Sequence, residues 1–222
     1  MTDAPGRRPG GQQIVPRPPT WSPGPEAPWT VGAVPSMNDV LAAVPEYDQP
    51  LRPDFPDARA SAVLIALADG SEGPEVLLTR RSWELRHHRG EVSFPGGRLD
   101  PGETAVDAAL REAHEEVGLD PTHVSVRGEL EHLNTVVSRS YIVPKVATVP
   151  EPLALRGETM EVDRVMWVPL AEFTRADTYR SEVWGIGATD RVLHFFELED
   201  ETVWGATAHM LVDLLERTLP SA

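Results

Sequence analysis

Three glutamates lie close together within the segment ETAVDAALREAHEEVG, residues 103–118. If the segment is helical, Glu112, Glu115 and Glu116 share one face, because residues three and four positions apart are neighbours on a helix. Their carboxylates would repel one another, and a divalent cation would relieve that repulsion. Carboxylate oxygens suit Mg²⁺ or Mn²⁺, and Mg²⁺ usually adds waters and substrate phosphates to them. The pattern indicates either a metal site for phosphate chemistry or a solvated acidic helix face.

A second face of the same helix is apolar, and it predicts how the acids are positioned. This face carries Val106, Ala109, Leu110, Ala113 and Val117. Such a stripe packs against a core and leaves the other side of the helix accessible. Arg111 lies one turn before Glu115 and can hold that carboxylate by a charge-assisted hydrogen bond.

An opposite concentration of charge stands just before the acidic helix, in LLTRRSWELRHHRGEVSFPGG, residues 77–97. Four arginines and two histidines fall between Arg80 and Arg89, although the whole chain has 20 Lys+Arg and a formal net charge of -15. Guanidinium groups bind phosphates bidentately, so the stretch predicts a local anion site. The alternative is that these arginines pair with surface acids such as Glu84 and Glu91.

Bulk composition limits the other classes of function. The 222 residues contain no cysteine, which excludes disulfides and thiolate metal sites. No apolar run approaches the ~18 residues of a membrane span, and the N-terminus has no secretory h-region. The acidic balance argues against general nucleic-acid binding. We therefore expect a soluble cytoplasmic protein with no nucleic-acid partner and no membrane. Its oligomeric state is open, with a homodimer as one option.

Proline divides the chain into two expected parts. Eight prolines fall within the first thirty positions, which predicts a flexible tail over residues 1–33 and one folded domain over 34–222. Within the domain, helices are predicted at 36–47, 103–118 and 205–219. Strands are predicted at 61–68, 75–82, 124–133, 140–149, 162–170 and 192–198. This order predicts an α/β fold with a mixed β-sheet and helices on its faces.

The spacing around the acidic helix matches a known motif in full. Gly97, Glu103 and the run Arg111-Glu112-Ala113-His114-Glu115-Glu116-Val117-Gly118-Leu119 fill every fixed position of Gly-x5-Glu-x7-Arg-Glu-U-x-Glu-Glu-x-Gly-U, where U is apolar. The chain thereby resembles the Nudix hydrolases. The resemblance implies an α/β/α sandwich with a loop–helix–loop catalytic motif.

The same resemblance implies roles for these residues. It places a divalent metal at Glu112 and Glu116, with Glu115 in or near the metal shell and the Gly97 carbonyl as a further ligand. Arg111 braces the loop with Glu103. Glu115 is the candidate base that activates the attacking water, although in this family the base varies and can come from a loop outside the motif.

The basic stretch resembles a subgroup of that family, the coenzyme A pyrophosphatases. The matching residues are Leu77, Leu78, Thr79, Arg81, Ser82, Arg86, Gly90, Phe94, Pro95, Gly96 and Gly97. The resemblance covers roughly residues 36–219 and implies hydrolysis of the diphosphate of coenzyme A or its thioesters. Arg81 and Arg86 are then the expected phosphate ligands, while Trp83 either stacks on adenine or packs into the fold.

Two other functions stay open at this point. The acidic helix would serve equally in an enzyme acting on ADP-ribose, a dinucleotide or a nucleoside triphosphate. In that case the basic stretch would not indicate coenzyme A as the substrate. A Nudix domain can also bind a ligand without catalysis, although the intact acidic motif argues against that interpretation.

Overall fold

The computed structural model of the chain describes residues 6–46, 49–55, 57–135, 139–157, 159–186 and 189–222. The helices are α1 (Met37–Ala43), α2 (Ala105–Val117), α3 (Leu170–Phe173) and α4 (Gly205–Thr218). The strands are β1 (Trp21–Pro23), β2 (Arg59–Gly70), β3 (Gly73–Arg81), β4 (Val92–Ser93), β5 (Gly96–Arg98), β6 (Ser125–Glu129), β7 (Leu133–Asn134), β8 (Ser140–Thr148), β9 (Val162–Pro169), β10 (Tyr179–Ile186), β11 (Thr189–Glu197) and β12 (Thr202–Trp204). No helix in these ranges is both long enough and apolar enough to span a membrane.

The main sheet has eight strands and is mixed. Its central path runs β4-β3-β2-β8-β6, and β5, β7 and β9 pair with β2, β8 and β3 respectively. Strands β2 and β8 are parallel over nine residue pairs, whereas the other pairings are antiparallel. The predicted mixed sheet is confirmed.

Helices cover both faces of this sheet, which gives the predicted α/β/α sandwich. Helix α2 packs through small residues, including Ala109 and Ala113, on the face of β2 that carries Leu64. The opposite face of β2 carries Ile65 and belongs to a larger core with α1 and α4. The predicted helix at 36–47 is shorter than expected, because Pro45 disfavours helical geometry in the residue before it.

The N-terminal segment differs from the expected flexible tail over residues 6–33. Strand β1 pairs antiparallel with β10, and these two strands form a second sheet of four with β11 and β12. Trp29 is 1% exposed and contacts the rings of Tyr179 and Phe196. Proline leaves few backbone donors but favours an extended chain, and one buried tryptophan supplies the apolar surface that composition alone does not reveal.

Candidate active site

The acidic site is built where α2 passes over β5. Thr104 begins α2 with a capping box to Asp107, and Gly118 ends it in the left-handed conformation with φ of 71°. These local signals fix where the helix begins and ends. Its rotation about its axis follows from the packing of its apolar stripe on β2, which directs Glu112 and Glu116 towards the Gly96–Gly97 backbone.

Gly97 is the point of closest approach between β5 and the helix. A Cβ atom added at Gly97 would lie 2.2 Å from Oε1 of Glu112. At Gly96 the nearest atom to an added Cβ is the backbone oxygen of Ala62, at 2.4 Å. Glycine is therefore required at both positions, for the carboxylate at the first and for the sheet at the second.

These contacts predict that one glycine variant loses metal affinity and the other loses stability. We expect Gly97→Ala to fold with nearly normal stability, because the far end of the flexible Glu112 side chain can move, and to bind Mn²⁺ about tenfold more weakly once that carboxylate is displaced. Gly96→Ala should lose about 2 kcal/mol or more of unfolding free energy, since backbone atoms must shift. Urea unfolding and Mn²⁺ titration measure the two effects; equal stability losses in both variants would contradict this account.

Glu116 is the most deeply buried of the three acids. Its residue is 9% exposed, and Oε2 accepts a hydrogen bond of 3.2 Å from the Gly96 N–H. Burial raises the pKa of Glu116 to about 7, and the nearby Glu112 carboxylate adds to the rise. The Gly96 N–H and the Arg81 guanidinium act in the opposite direction. The carboxylate is thus short of positive charge, which a cation would supply.

Arg111 braces the loop before the helix. Its Nε and Nη2 donate to the two oxygens of Glu103 at 2.8 and 3.0 Å, and Nη2 also donates to the Arg98 carbonyl at 3.0 Å. This fork holds the pKa of Glu103 down at about 2. Nη1 of Arg111 donates to Glu112 at 3.0 Å, so the brace also fixes one acid of the site.

Glu115 occupies a different environment from the other two glutamates. Its side chain is 54% exposed, and Oε2 accepts a bond of 3.3 Å from Arg111. The helical wheel groups Glu115 with Glu112 and Glu116, but β5 covers only part of that face.

The carboxylates fit a divalent cation as a pair. Among the described residues, no group of three His, Cys, Asp or Glu side chains is arranged to hold a metal ion. Mg²⁺ commonly uses one or two carboxylates and completes its shell with water and substrate phosphates. Glu112 and Glu116 meet that requirement, because the first is half-buried and the second forms no ion pair with a cation in the described part of the chain. Mg²⁺ or Mn²⁺ is therefore the group that these oxygen donors suit.

The basic stretch forms a loop between β3 and β4, residues 82–91, which is called the basic loop below. Arg81 ends β3, and its Nη2 lies 3.2 Å from Oε2 of Glu161, while its Nε is buried without a hydrogen-bond partner among the residues that the structure describes. The Trp83 ring covers Gly90, where an added Cβ would lie 2.3 Å from the ring. Trp83 thus packs against its own loop. Arg86 is exposed and makes no ion pair with any described residue.

Sequence analysis missed Glu161, which precedes β9. The Glu161 carbonyl accepts a bond of 2.7 Å from the Ser82 N–H, so its backbone is tied to the start of the basic loop. Its carboxylate pairs with Arg81 at 3.2 Å, and charge repulsion from it adds to the raised pKa of Glu116. No local signal marks this residue, because only the pairing of β3 with β9 brings it there.

Comparisons with known proteins agree with this architecture. Residues 58–184 match the family described as the NUDIX domain. A protein of Photorhabdus laumondii named as an uncharacterized Nudix hydrolase, NudL, is 38% identical over 162 residues, covering 72% of this chain and 84% of that protein. A protein of Escherichia coli O6:H1 with the same name is 38% identical over 159 residues, covering 70% and 81% of the two chains.

Parts of the chain also superpose on solved structures of Nudix proteins. The crystal structure of a MutT/nudix family protein from Enterococcus faecalis superposes with a TM-score of 0.48 at 18% identity, covering 81% of this chain and 68% of that one. The Nudix hydrolase RenU of M. smegmatis gives a TM-score of 0.44 at 27% identity over 51% and 72% of the two chains.

The chain belongs to the Nudix family. It is a Nudix hydrolase, a class of enzyme that acts on nucleoside diphosphate derivatives and generally uses divalent metals such as Mg²⁺ or Mn²⁺. The names of the two NudL relatives give no substrate.

Proposed function

We propose that this enzyme hydrolyses the diphosphate of coenzyme A or its thioesters. The products would be 4′-phosphopantetheine, or its acylated form, and adenosine 3′,5′-bisphosphate. The observation that supports this proposal is that the acidic pair and the basic loop lie next to each other. Arg81 lies beside the Glu112–Glu116 pair, and the loop that begins there carries Arg86, which has no ion pair within the described ranges.

Arg81 is suited to the diphosphate. Its guanidinium acts electrostatically on Glu116, and its buried Nε is a donor without a partner among the described residues. A buried donor that lacks an acceptor costs free energy, and a phosphate oxygen would remove that cost. The side chain as a whole is 28% exposed while Nε is buried, so a phosphate meets the guanidinium edge first and reaches Nε once the guanidinium turns outward.

Arg86 is suited to a second phosphate farther along the loop. Coenzyme A brings about four negative charges, two of them on its 3′-phosphate. A chain with a net charge of -15 would repel such a ligand without a local positive surface. The alternative pairing with Glu84 and Glu91 is not found for Arg86 in the described part of the chain, whereas Arg80 and Arg81 pair with acids outside the loop.

The residues divide the chemistry between them. Glu112 and Glu116 would hold the metal, with the Gly97 carbonyl as a further ligand and Glu115 reaching the ion through water. A bound metal would polarise the diphosphate and lower the pKa of a coordinated water. Arg81 would hold the phosphate being attacked, and Arg111 would keep Glu112 in place. A carboxylate, Glu115 or Glu161, would take the proton of the attacking water while the P–O–P bond breaks.

A second candidate substrate class is another nucleoside diphosphate derivative, such as ADP-ribose or a dinucleotide. It uses the same metal pair and leaves Arg86 without a role. A non-catalytic ligand-binding domain is the third candidate, and metal-dependent turnover would exclude it. The proposal places the enzyme in the cytoplasm with a small-molecule substrate, no nucleic-acid partner and an oligomeric state, monomer or homodimer, that sizing chromatography would determine.

Arg86→Gln tests the role of the basic loop. We expect the KM for coenzyme A to rise about tenfold, because a charge-assisted hydrogen bond contributes about 1.5 kcal/mol. The KM for 3′-dephospho-coenzyme A should change by about twofold or less. Arg191→Gln, at an exposed arginine of β11, is the matched control. Equal effects on the two substrates would count against Arg86 as the ligand of the 3′-phosphate.

A further inference from the structure

The N-terminal segment, residues 6–33, is attached to the fold at several separate places. Trp29 lies in the core, and β1 pairs with β10. Arg17 forms a bidentate pair with the buried Glu182, with Nε at 2.8 Å from Oε2. Beyond these attachments, the segment continues to the basic loop, where Gln13 makes the contact.

The side-chain amide of Gln13 joins the N-terminal segment both to the basic loop and to the start of β12. Its Oε1 accepts a bond of 2.8 Å from the Thr202 N–H, at the start of β12. Its Nε2 donates to the carbonyl of Gly90 at 3.0 Å and also to the carboxylate of Glu201. Both functional groups of the side chain are therefore used, and the amide orientation is fixed by its partners.

Gly90 is the residue that closes the basic loop. Its N–H donates to the Arg81 carbonyl at 3.0 Å, and the Trp83 ring packs directly on it. Its φ of +70° favours glycine, so the residue bends the chain back towards β4. The contact from Gln13 thus reaches the loop at the residue whose N–H closes it onto Arg81, four residues after Arg86.

Glu201 connects the same contact to the strands beneath the loop. It is 1% exposed and accepts bonds from Arg80 at 2.6 Å and from Arg164 at 2.7 Å. Arg80 is the neighbour of Arg81 on β3. The buried Glu201 carboxylate therefore accepts hydrogen bonds from two arginines and from the Gln13 amide, and these bonds fix the three side chains relative to one another.

We propose that residues 6–33 form a strap that holds the basic loop, and that Gln13 is a positioning residue for substrate binding. Through Gly90 and Glu201, Gln13 fixes the loop against β3 and β12, which keeps Arg86 where the phosphate is bound. Its role in binding rests on the proposed function, whereas its hold on the loop does not.

Amide hydrogen exchange tests the strap without any substrate. In Gln13→Leu we expect the Gly90 amide to exchange about fivefold faster, since a hydrogen bond contributes about 1 kcal/mol. Gln13→Glu should give at least the same effect, because it removes the donor to Gly90 and sets a second carboxylate against Glu201. Ile14→Ala, at the adjacent residue that is 57% exposed, is the matched control and should leave exchange unchanged. Unchanged exchange in both Gln13 variants would overturn the strap.

Steady-state kinetics test the positioning role. In Gln13→Leu the KM for coenzyme A should rise about fivefold, while kcat stays within about twofold, because the metal site is untouched. An unchanged KM in a variant whose loop exchanges faster would overturn the positioning role. If the wild type does not hydrolyse coenzyme A, the proposed function fails, and the exchange measurement still decides whether the strap holds the loop.

Discussion

Glu116→Gln should abolish most turnover and yet make the metal-free protein more stable above neutral pH. The loss of turnover follows because the amide carries no charge for the metal; we expect kcat to fall by about 10³-fold or more, in line with the several kcal/mol that metal catalysis supplies. Initial rates at saturating Mg²⁺ measure it. A folded variant with near-normal turnover would contradict the metal assignment.

The gain in stability follows from the pKa of about 7 that burial gives Glu116. Between the unfolded value of about 4.5 and 7, the native state binds more protons than the unfolded state, so the unfolding free energy falls as pH rises. A shift of this size corresponds to a loss of roughly 3 kcal/mol, complete above pH 7 and absent below about pH 4.5. The Glu116→Gln variant avoids this loss, because an amide does not ionise.

Urea unfolding in EDTA at pH 5 and pH 8 measures that difference. We expect the stability advantage of Glu116→Gln to be larger by about 2 kcal/mol at pH 8 than at pH 5, after allowance for burying the amide. Added Mg²⁺ should remove the pH dependence in the wild type, because the cation stabilises the ionised carboxylate. An advantage that is equal at the two pH values would show that Glu116 does not titrate in this way.

The second large effect concerns the base. We expect Glu161→Gln to lower kcat by about 10²-fold to 10⁴-fold, the range for general-base catalysis, with little change in metal affinity. Glu161 is 58% exposed, lies near Glu116 and has a backbone fixed by Ser82. Both candidates pair with an arginine, Glu161 with Arg81 at 3.2 Å and Glu115 with Arg111 at 3.3 Å, but Arg111 also braces Glu103 and Glu112.

Glu115→Gln is the matched comparison. We expect its kcat to fall by about tenfold, because the variant weakens the contact with Arg111, which holds Glu112 in place. The pH dependence of kcat in both variants distinguishes a base from a structural residue, because losing the base removes the acidic limb of the profile. If Glu115→Gln shows the larger loss and the altered profile, the assignment made from the sequence alone is the right one.

Local signals predict much of the fold and the centre of the site. The 3.6-residue period, Thr104 and Gly118 define α2, and the family motif identifies the acids on it. Their different environments could not be predicted, because the burial of Glu116 and the exposure of Glu115 depend on how β5 crosses the helix. That crossing is a tertiary arrangement.

The elements that the sequence does not predict have polar residues whose hydrogen-bond partners lie far away in sequence. Sequence analysis assigns no strand to β10, where Glu182 is 3% exposed and is bound by Arg17 and Trp184. The packing of residues 6–33 and the role of Gln13 depend on the same long-range pairing. A proline-rich composition conceals such contacts, because it reports the apolar content of the segment and not its partners.

The most direct test of the account is product analysis of purified protein incubated with coenzyme A and either Mg²⁺ or Mn²⁺. ADP-ribose and NADH serve as parallel substrates, and Glu116→Gln serves as the inactive control. We expect metal-dependent formation of 4′-phosphopantetheine and adenosine 3′,5′-bisphosphate, in preference to cleavage of the other two substrates. Preferential cleavage of ADP-ribose or NADH would contradict the role of Arg86, and no turnover with any substrate and either metal would contradict catalysis itself.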